Sequence, residues 1–285
     1  MSDLRQPPAD LIGEGSGSFF HAVSHSNEDL GSLEVHYHRP ARLRAPIPVV
    51  FVMHGQRRNG SSYRNRWVRY AEKHGFLLLV PEFDLKMYPS VPHYNLARMV
   101  ARVTGSRIRP EEEWAFHKIE GVFEAVRNAV PGISPTYSIY GHSAGAQFVH
   151  RLVLFHPAAS FHLAIAANAG WYTLPCQETG FPYGVAGVPL DDARLAHALQ
   201  KRLLVLLGES DTDQAHPLLR RNKQTLRQGR NRLERGRTFF QHGQFAAGRL
   251  QVEFRWELEI VKRARHLDQT MARAAVHHLA AAFPE

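Results

Sequence analysis

The pentapeptide Gly141-His142-Ser143-Ala144-Gly145 constrains this chain more than any other feature, because of what lies on either side of it. Residues 136–140 are rich in β-branched and aromatic side chains, which predicts a strand. Phe148, Leu152 and Phe155, at i, i+4 and i+7, predict a helix that starts just past the turn. Strand, G-x-S-x-G turn and helix in that order describe a nucleophile elbow. The two glycines remove Cβ atoms where the backbone turns sharply, lifting the Ser143 hydroxyl out of the turn. A serine so held can attack an electrophile.

The same alternation of strand and helix recurs along the chain. Residues 47–53 and 76–80 are apolar throughout, as expected of strands covered on both faces of a parallel sheet. Between them, residues 63–74 predict a helix with Trp67, Tyr70 and Ala71 inward, stopped by Gly75. A second helical pattern covers 112–130, and further strands are expected at 161–167 and 202–207. Residues 32–38 and 251–258 alternate polar and apolar, which reads as half-exposed strands, the second at a sheet edge. The fold class that follows is α/β, a mainly parallel central sheet with helices on both faces.

With 285 residues, 44% of them hydrophobic, one large domain over residues 31–285 is expected, behind an N-terminal arm or edge strand at 1–30. Two stretches fit no simple element, residues 85–109 and 170–190. The second is rich in aromatic residues and proline, and supplies either a short cap over the site, about 170–200, or a layer packed on the core. Trp171, Tyr172 and Tyr183 belong to it and, with His142, are candidate substrate-pocket residues.

Cys176 is the single cysteine, so no intrachain disulfide forms, and residues 1–8 lack the apolar core of a secretory leader. Together these predict a cytoplasmic setting. No apolar run approaches the roughly 20 residues that cross a bilayer, so no membrane association is expected. The formal net charge is +9, with Arg220, Arg221, Lys223, Arg227, Arg230, Arg232, Arg235 and Arg237 concentrated in one segment. Such a run reads first as a solvated helix face. Its lack of interleaved aromatics argues against a nucleic-acid partner, and polyanion binding by a non-catalytic protein is the alternative. His36 and His38 form an isolated H-x-H without HExxH or paired cysteines, and phosphate-loop glycine patterns are absent, so neither metal nor cofactor is expected.

A serine hydroxyl at neutral pH needs a base, and the base needs an orienting acid; after an elbow these follow in the order acid, then histidine. The apolar run 203–207 ends in Gly208-Glu209-Ser210-Asp211-Thr212-Asp213, where Asp211 is the first candidate acid, Asp213 the second and Glu209 the third. Arg265-His266-Leu267-Asp268 precedes the final helical stretch and makes His266 the candidate base. A histidine base, with a reference pKa near 6.5, predicts activity that fades in mild acid. The oxyanion formed on attack needs backbone donors, each worth about 2.7 to 4 kcal/mol. Ala144 supplies one candidate, and Gln56, in the loop Met53-His54-Gly55-Gln56-Arg57, supplies the other. His54 reads as a brace for that loop.

Elbow, acid turn, late histidine and His54-Gly55 in this order resemble the α/β-hydrolase superfamily from about residue 30 onward. Phe51-Val52-Met53-His54-Gly55-Gln56, Pro81-Glu82-Phe83-Asp84, Gly141-His142-Ser143-Ala144-Gly145-Ala146-Gln147-Phe148 and Ala167-Asn168-Ala169-Gly170-Trp171 are similar to segments of polyhydroxybutyrate depolymerase-like esterases. The resemblance implies hydrolysis of a small or oligomeric carboxylic ester through an acyl-serine, without metal or organic cofactor. Relatives often carry glycine just before the histidine, where this chain has Lys262-Arg263-Ala264-Arg265. Those cations either disfavour a protonated His266 or greet an anionic substrate.

Overall fold

The computed structural model describes residues 11–22, 32–103, 105 and 107–283. Its strands are β1 (Gly15–Ala22), β2 (Ser32–Arg39), β3 (Ile47–Met53), β4 (Leu77–Glu82), β5 (Ile133–His142), β6 (Phe161–Ala167), β7 (Leu203–Gly208) and β8 (Trp256–Val261). They form one sheet in the order β1-β2-β4-β3-β5-β6-β7-β8. The β1–β2 and β2–β4 pairs are antiparallel and every other pair is parallel. The helices are α1 (Gly60–His74), α2 (Phe116–Ala129), α3 (Ala144–Phe155), α4 (Asp192–Gln200), α5 (Lys223–Gln228), α6 (Arg232–Leu250) and α7 (Asp268–Ala281). This is the expected mainly parallel α/β architecture. The arm expected at 1–30 is described only at residues 11–22, where β1 is an edge strand.

The continuous apolar strands have a direct cause. Successive side chains point to opposite faces, and here both faces are covered. Val49, Phe51 and Met53 join Phe116, Phe123, Phe148 and Leu152 in one core, while Val50 and Val52 join Trp67, Ala71, Met271 and Val276 in the other. Each fully buried aliphatic side chain contributes roughly 1.5–3 kcal/mol. Alternation would leave one of the two helical layers without a partner surface.

Gly75 ends α1 as expected. It sits at φ 68° and donates its N–H to the Ala71 carbonyl at 2.9 Å. The helix begins at Gly60, earlier than the periodicity predicts, because the Glu82 carboxylate takes the Gly60 N–H at 2.6 Å. Helix α2 starts at Phe116 rather than 112, after a short 3-10 turn at Glu111–Glu113.

Three expectations need correction. Strand β2 is not half-exposed: it lies between β1 and β4, and its two histidines are buried. His36 pairs with Glu82 at 2.9 Å, and His38 bonds Glu72 and Ser16, both at 2.7 Å. Polar residues on that face read as solvated, yet both histidines meet partners from α1, β4 or β1. The last strand runs over 256–261 rather than 251–258. Gln251 adopts a left-handed conformation that closes α6, and residues 252–255 carry the chain back to the sheet. Finally, the arginine-rich segment is not one solvated face, since Arg232 and Arg235 are 2% and 0% exposed on α6.

The irregular stretches pack against each other. Trp171 and Tyr183, with ring centres 5.0 Å apart, form a cluster with Leu96 and Val100 of the first stretch. Arg151 from α3 lies over the Trp171 ring at 4.4 Å.

Candidate active site

Ser143 joins β5 to α3 at φ 57° and ψ −109°, a conformation costing a non-glycine residue on the order of 1–3 kcal/mol. The neighbouring glycines make it possible. A Cβ on Gly141 would strike the Gly145 backbone, and one on Gly145 would strike the Met53 carbonyl. The Ser143 N–H donates to the Ala167 carbonyl at 3.0 Å, tying the turn to the end of β6. Ala144 opens α3, where backbone amides have no intrahelical acceptor.

Two further loops leave the same sheet edge. After β7, Asp211 donates its N–H to the Gly208 carbonyl at 3.1 Å, and Ser210 donates to Ala264 at 2.8 Å. After β8, the chain turns through residues 262–267 into α7. These turns bring together side chains 123 and 55 residues apart. His266 Nδ1 lies 2.7 Å from Asp211 Oδ2, and His266 Nε2 lies 3.1 Å from Ser143 Oγ. A carboxylate only accepts, so Nδ1 carries the proton and Nε2 is left to accept from the hydroxyl. An arrangement of this kind can pass a proton from hydroxyl to imidazole while the carboxylate holds the ring.

Of the three candidate acids, only Asp211 is buried, at 2% exposure. Asp213 is exposed and its Oδ1 accepts the Ala215 N–H at 2.8 Å. Glu209 accepts the Arg263 N–H at 2.8 Å, which braces the histidine loop. The other oxygen of Asp211 meets Arg232 Nη1 at 3.3 Å, and Arg232 Nη2 donates to His216 Nδ1 at 3.2 Å. Burial lowers the Arg232 pKa from its ordinary value, and the Asp211 charge opposes that shift. Arg235 instead bonds the carbonyls of Gly170, Gly229 and Arg220 at 2.6 to 2.9 Å. Neither role is visible in composition, but Arg232, Arg235, Gly236, Phe239 and Gly243 share the buried stripe of α6. That helical spacing was the available signal.

His54 is fully buried after β3. Its Nδ1–H donates to the Gly55 carbonyl and its Nε2 accepts the Phe83 N–H, both at 3.0 Å. Its own carbonyl accepts the Tyr94 hydroxyl at 2.7 Å. The brace expected of it is therefore present, and Gln56 lies exposed in the same loop. His142 lies beside His266 with ring centres 4.7 Å apart and planes tilted by 37°, and its buried Nε2 has no hydrogen-bond partner among the described residues. Both histidines line a cleft of roughly 410 Å³ together with Arg57, Arg66, His216 and Asp268. Trp171, Tyr172 and Tyr183 are not among the residues lining that cleft. Tyr172 is fully buried, stacked on Phe239 at 4.6 Å, so its ring belongs to the core.

Burial pushes the pKa of His54 down to about 4 with help from Arg58, and holds His142 and His150 well below 6.5. These folded-state values lie below the unfolded reference, so the unfolded chain binds more protons and stability is greatest above pH 6.5. It is lost as pH falls from 6.5 toward 4. His54 alone accounts for on the order of 3 kcal/mol. Urea unfolding at pH 7.5, 5.5 and 4.5 should give steadily lower midpoints; equal midpoints would contradict neutral buried imidazoles.

No protein-family model matches the chain, and no curated protein is significantly similar to it. Solved structures are similar. Poly(aspartic acid) hydrolase-1 from Sphingomonas sp. KT-1 is 38% identical with a TM-score of 0.88, over 94% of this chain and 99% of that one. LpqC, a poly(3-hydroxybutyrate) depolymerase from Bordetella parapertussis, is 32% identical with a TM-score of 0.88, over 97% and 95%. The fluorophosphonate-binding serine hydrolase F of Staphylococcus aureus shares the fold at 16% identity and a TM-score of 0.58, over 94% and 99%. With an elbow, an acid turn and a late histidine loop on one sheet edge, and relatives this similar over nearly their whole length, the chain belongs to the polyhydroxybutyrate depolymerase-like esterases of the α/β-hydrolase superfamily.

Proposed function

We propose that the protein is a serine hydrolase that cleaves a carboxylic ester through an acyl-enzyme on Ser143, with His266 as general base and acid and Asp211 orienting it. The observation that carries this reading is the continuous relay, 3.1 Å from Oγ to Nε2 and 2.7 Å from Nδ1 to Oδ2. Attack of Oγ on the carbonyl passes the hydroxyl proton to Nε2, and the imidazolium is stabilised by Asp211. The backbone amides of Ala144 and Gln56 receive the oxyanion. The imidazolium then protonates the leaving alcohol, and water, deprotonated by the same Nε2, releases the acid. His142 forms part of the substrate pocket, whereas Trp171 and Tyr183, buried against Leu96 and Val100, lie outside its lining. The lone Cys176 fits a reducing, cytoplasmic setting, and among the described residues no helix is long and apolar enough to cross a membrane.

Treatment with a fluorophosphonate, followed by peptide mapping, tests the reading. One adduct, on Ser143, is expected, and an unlabelled Ser143 in folded protein would reject it.

The cleft favours a second reading of the substrate. Its cationic and imidazole lining includes Arg57, Arg66 and His216, and its single lining carboxylate, Asp268, is already bonded by Arg66 at 3.2 Å and Tyr140 at 3.1 Å. With Arg66 paired to Asp268, Arg57 is the lining charge left to meet a carboxylate-bearing chain, and poly(aspartic acid) is the polymer for which the Sphingomonas relative is named. The same acyl-transfer chemistry opens its amide. On this reading kcat/KM for poly(aspartic acid) falls several-fold between roughly 0.01 and 0.15 M salt as screening shortens from about 30 to 8 Å, while p-nitrophenyl ester turnover changes little. Equal salt responses would return the assignment to neutral esters.

A further inference from the structure

One buried amide touches the segments that carry all three residues of the relay. Asn168 follows β6 directly, 1% exposed, with φ at 51°. Few non-glycine residues adopt that conformation, and asparagine is among those that tolerate it best. Its backbone N–H donates to the Leu206 carbonyl at 3.0 Å. Its Oδ1 accepts the Gly208 N–H at 2.8 Å, and its Nδ2 donates to the Arg265 carbonyl at a longer 3.4 Å.

The placement of these partners matters. Gly208 closes β7 three residues before Asp211, and Arg265 immediately precedes His266. The carbonyl of Ala167, the residue before Asn168, holds the Ser143 N–H at 3.0 Å. The parallel ladders end at Ala167–Leu206 and Gly208–Val261. Beyond those points the acid turn and the histidine loop are held to each other by Glu209 N–H to the Val261 carbonyl at 3.0 Å, Ser210 N–H to the Ala264 carbonyl at 2.8 Å and Arg263 N–H to the Glu209 carboxylate at 2.8 Å, but no strand pairing ties them to the end of β6. The Asn168 side chain, with both an acceptor and a donor, ties that pair of loops to the end of β6 and so to the elbow, and its left-handed backbone aims it there. The fit is close on the other side as well, since a Cβ on Gly208 would meet the Ala264 carbonyl at 2.6 Å.

We propose that Asn168 is a positioning residue that fixes the acid turn and the histidine loop relative to the elbow, so that His266 stays within reach of both Asp211 and Ser143. This rests on the serine hydrolase reading. Asn168 touches neither the hydroxyl nor the substrate. Its loss therefore lowers the rate of the chemical step and leaves the affinity for a small ester largely intact.

Asn168→Gly tests this, because glycine accepts the positive φ and removes only the amide. Asn168→Asp is the companion: it keeps the Gly208 bond and sets an oxygen against the Arg265 carbonyl. Active sites are counted by fluorophosphonate titration and folding is checked by circular dichroism. With p-nitrophenyl esters, kcat per titrated site should fall roughly 10- to 100-fold in both variants, the size expected for a misplaced catalytic group, with KM within about twofold. Wild-type kcat per titrated serine in the folded variants would overturn the proposal, even if fewer sites titrate, because that pattern marks a residue needed only for folding. If Asn168→Gly does not fold, Asn168→Asp decides alone. A wild-type protein that neither labels nor turns over would overturn the hydrolase reading, and this proposal with it.

Discussion

Replacing Ser143 with alanine is expected to reduce kcat for p-nitrophenyl esters by about 10⁶-fold, the loss seen when a nucleophile is removed from a relay of this kind. No other hydroxyl replaces it, because among the described residues Ser143 Oγ is the hydroxyl bonded to His266 Nε2, at 3.1 Å. The fold should survive. The side-chain bond lost is the one to the half-buried His266, and alanine inherits the same positive φ, at a further cost of roughly 1 kcal/mol or less. Thermal unfolding should therefore shift by only a few degrees while the fluorophosphonate adduct disappears. Turnover within tenfold of wild type, in protein free of contaminating esterase, would mean that another group performs the attack.

Asp211→Asn carries the second large effect, and it reads out in two ways. The amide can present its NH₂ to Nδ1, which favours the tautomer with the proton on Nε2, and a loss of about 10⁴-fold in kcat is the expected size. Stability should fall too. Arg232 and Asp211 are each 2% exposed at the side chain and lie 3.3 Å apart, and removing one charge of a buried pair costs about 3–5 kcal/mol. Asp213→Asn is the control. Its carboxylate is exposed and caps a local turn, so activity should stay near wild type and stability within about 1 kcal/mol. Loss of activity in Asp213→Asn with retention in Asp211→Asn would reverse the assignment of the acid.

Much of the architecture was legible because its causes are local. Gly75 stops α1 through its own backbone, and residues 161–167 are long and apolar enough to be a strand in any α/β context. Gly141 and Gly145 mark the elbow because close backbone contact excludes a Cβ. The misreadings share a cause as well. His36, His38, Arg232 and Arg235 are polar residues whose hydrogen-bond partners lie on other strands, helices or loops, so nothing in their own element distinguishes a solvated side chain from a buried, paired one. Residues 251–255 look like a strand because alternation is a local pattern, but the left-handed Gln251 and the end of α6 direct the chain elsewhere.

By itself, then, the sequence determined the strand and helix alternation, the strained serine turn and the order in which that turn, the carboxylate-rich turn and the histidine loop follow one another, since each depends on side-chain volume, backbone freedom or short-range periodicity. Only the tertiary structure decided that Asp211 rather than Asp213 meets His266, that Tyr172 packs into the core, and that two arginines of a cationic run are interior. Those outcomes turn on distances between segments far apart in the chain. Such distances are set by how the sheet edge and its loops close on one another.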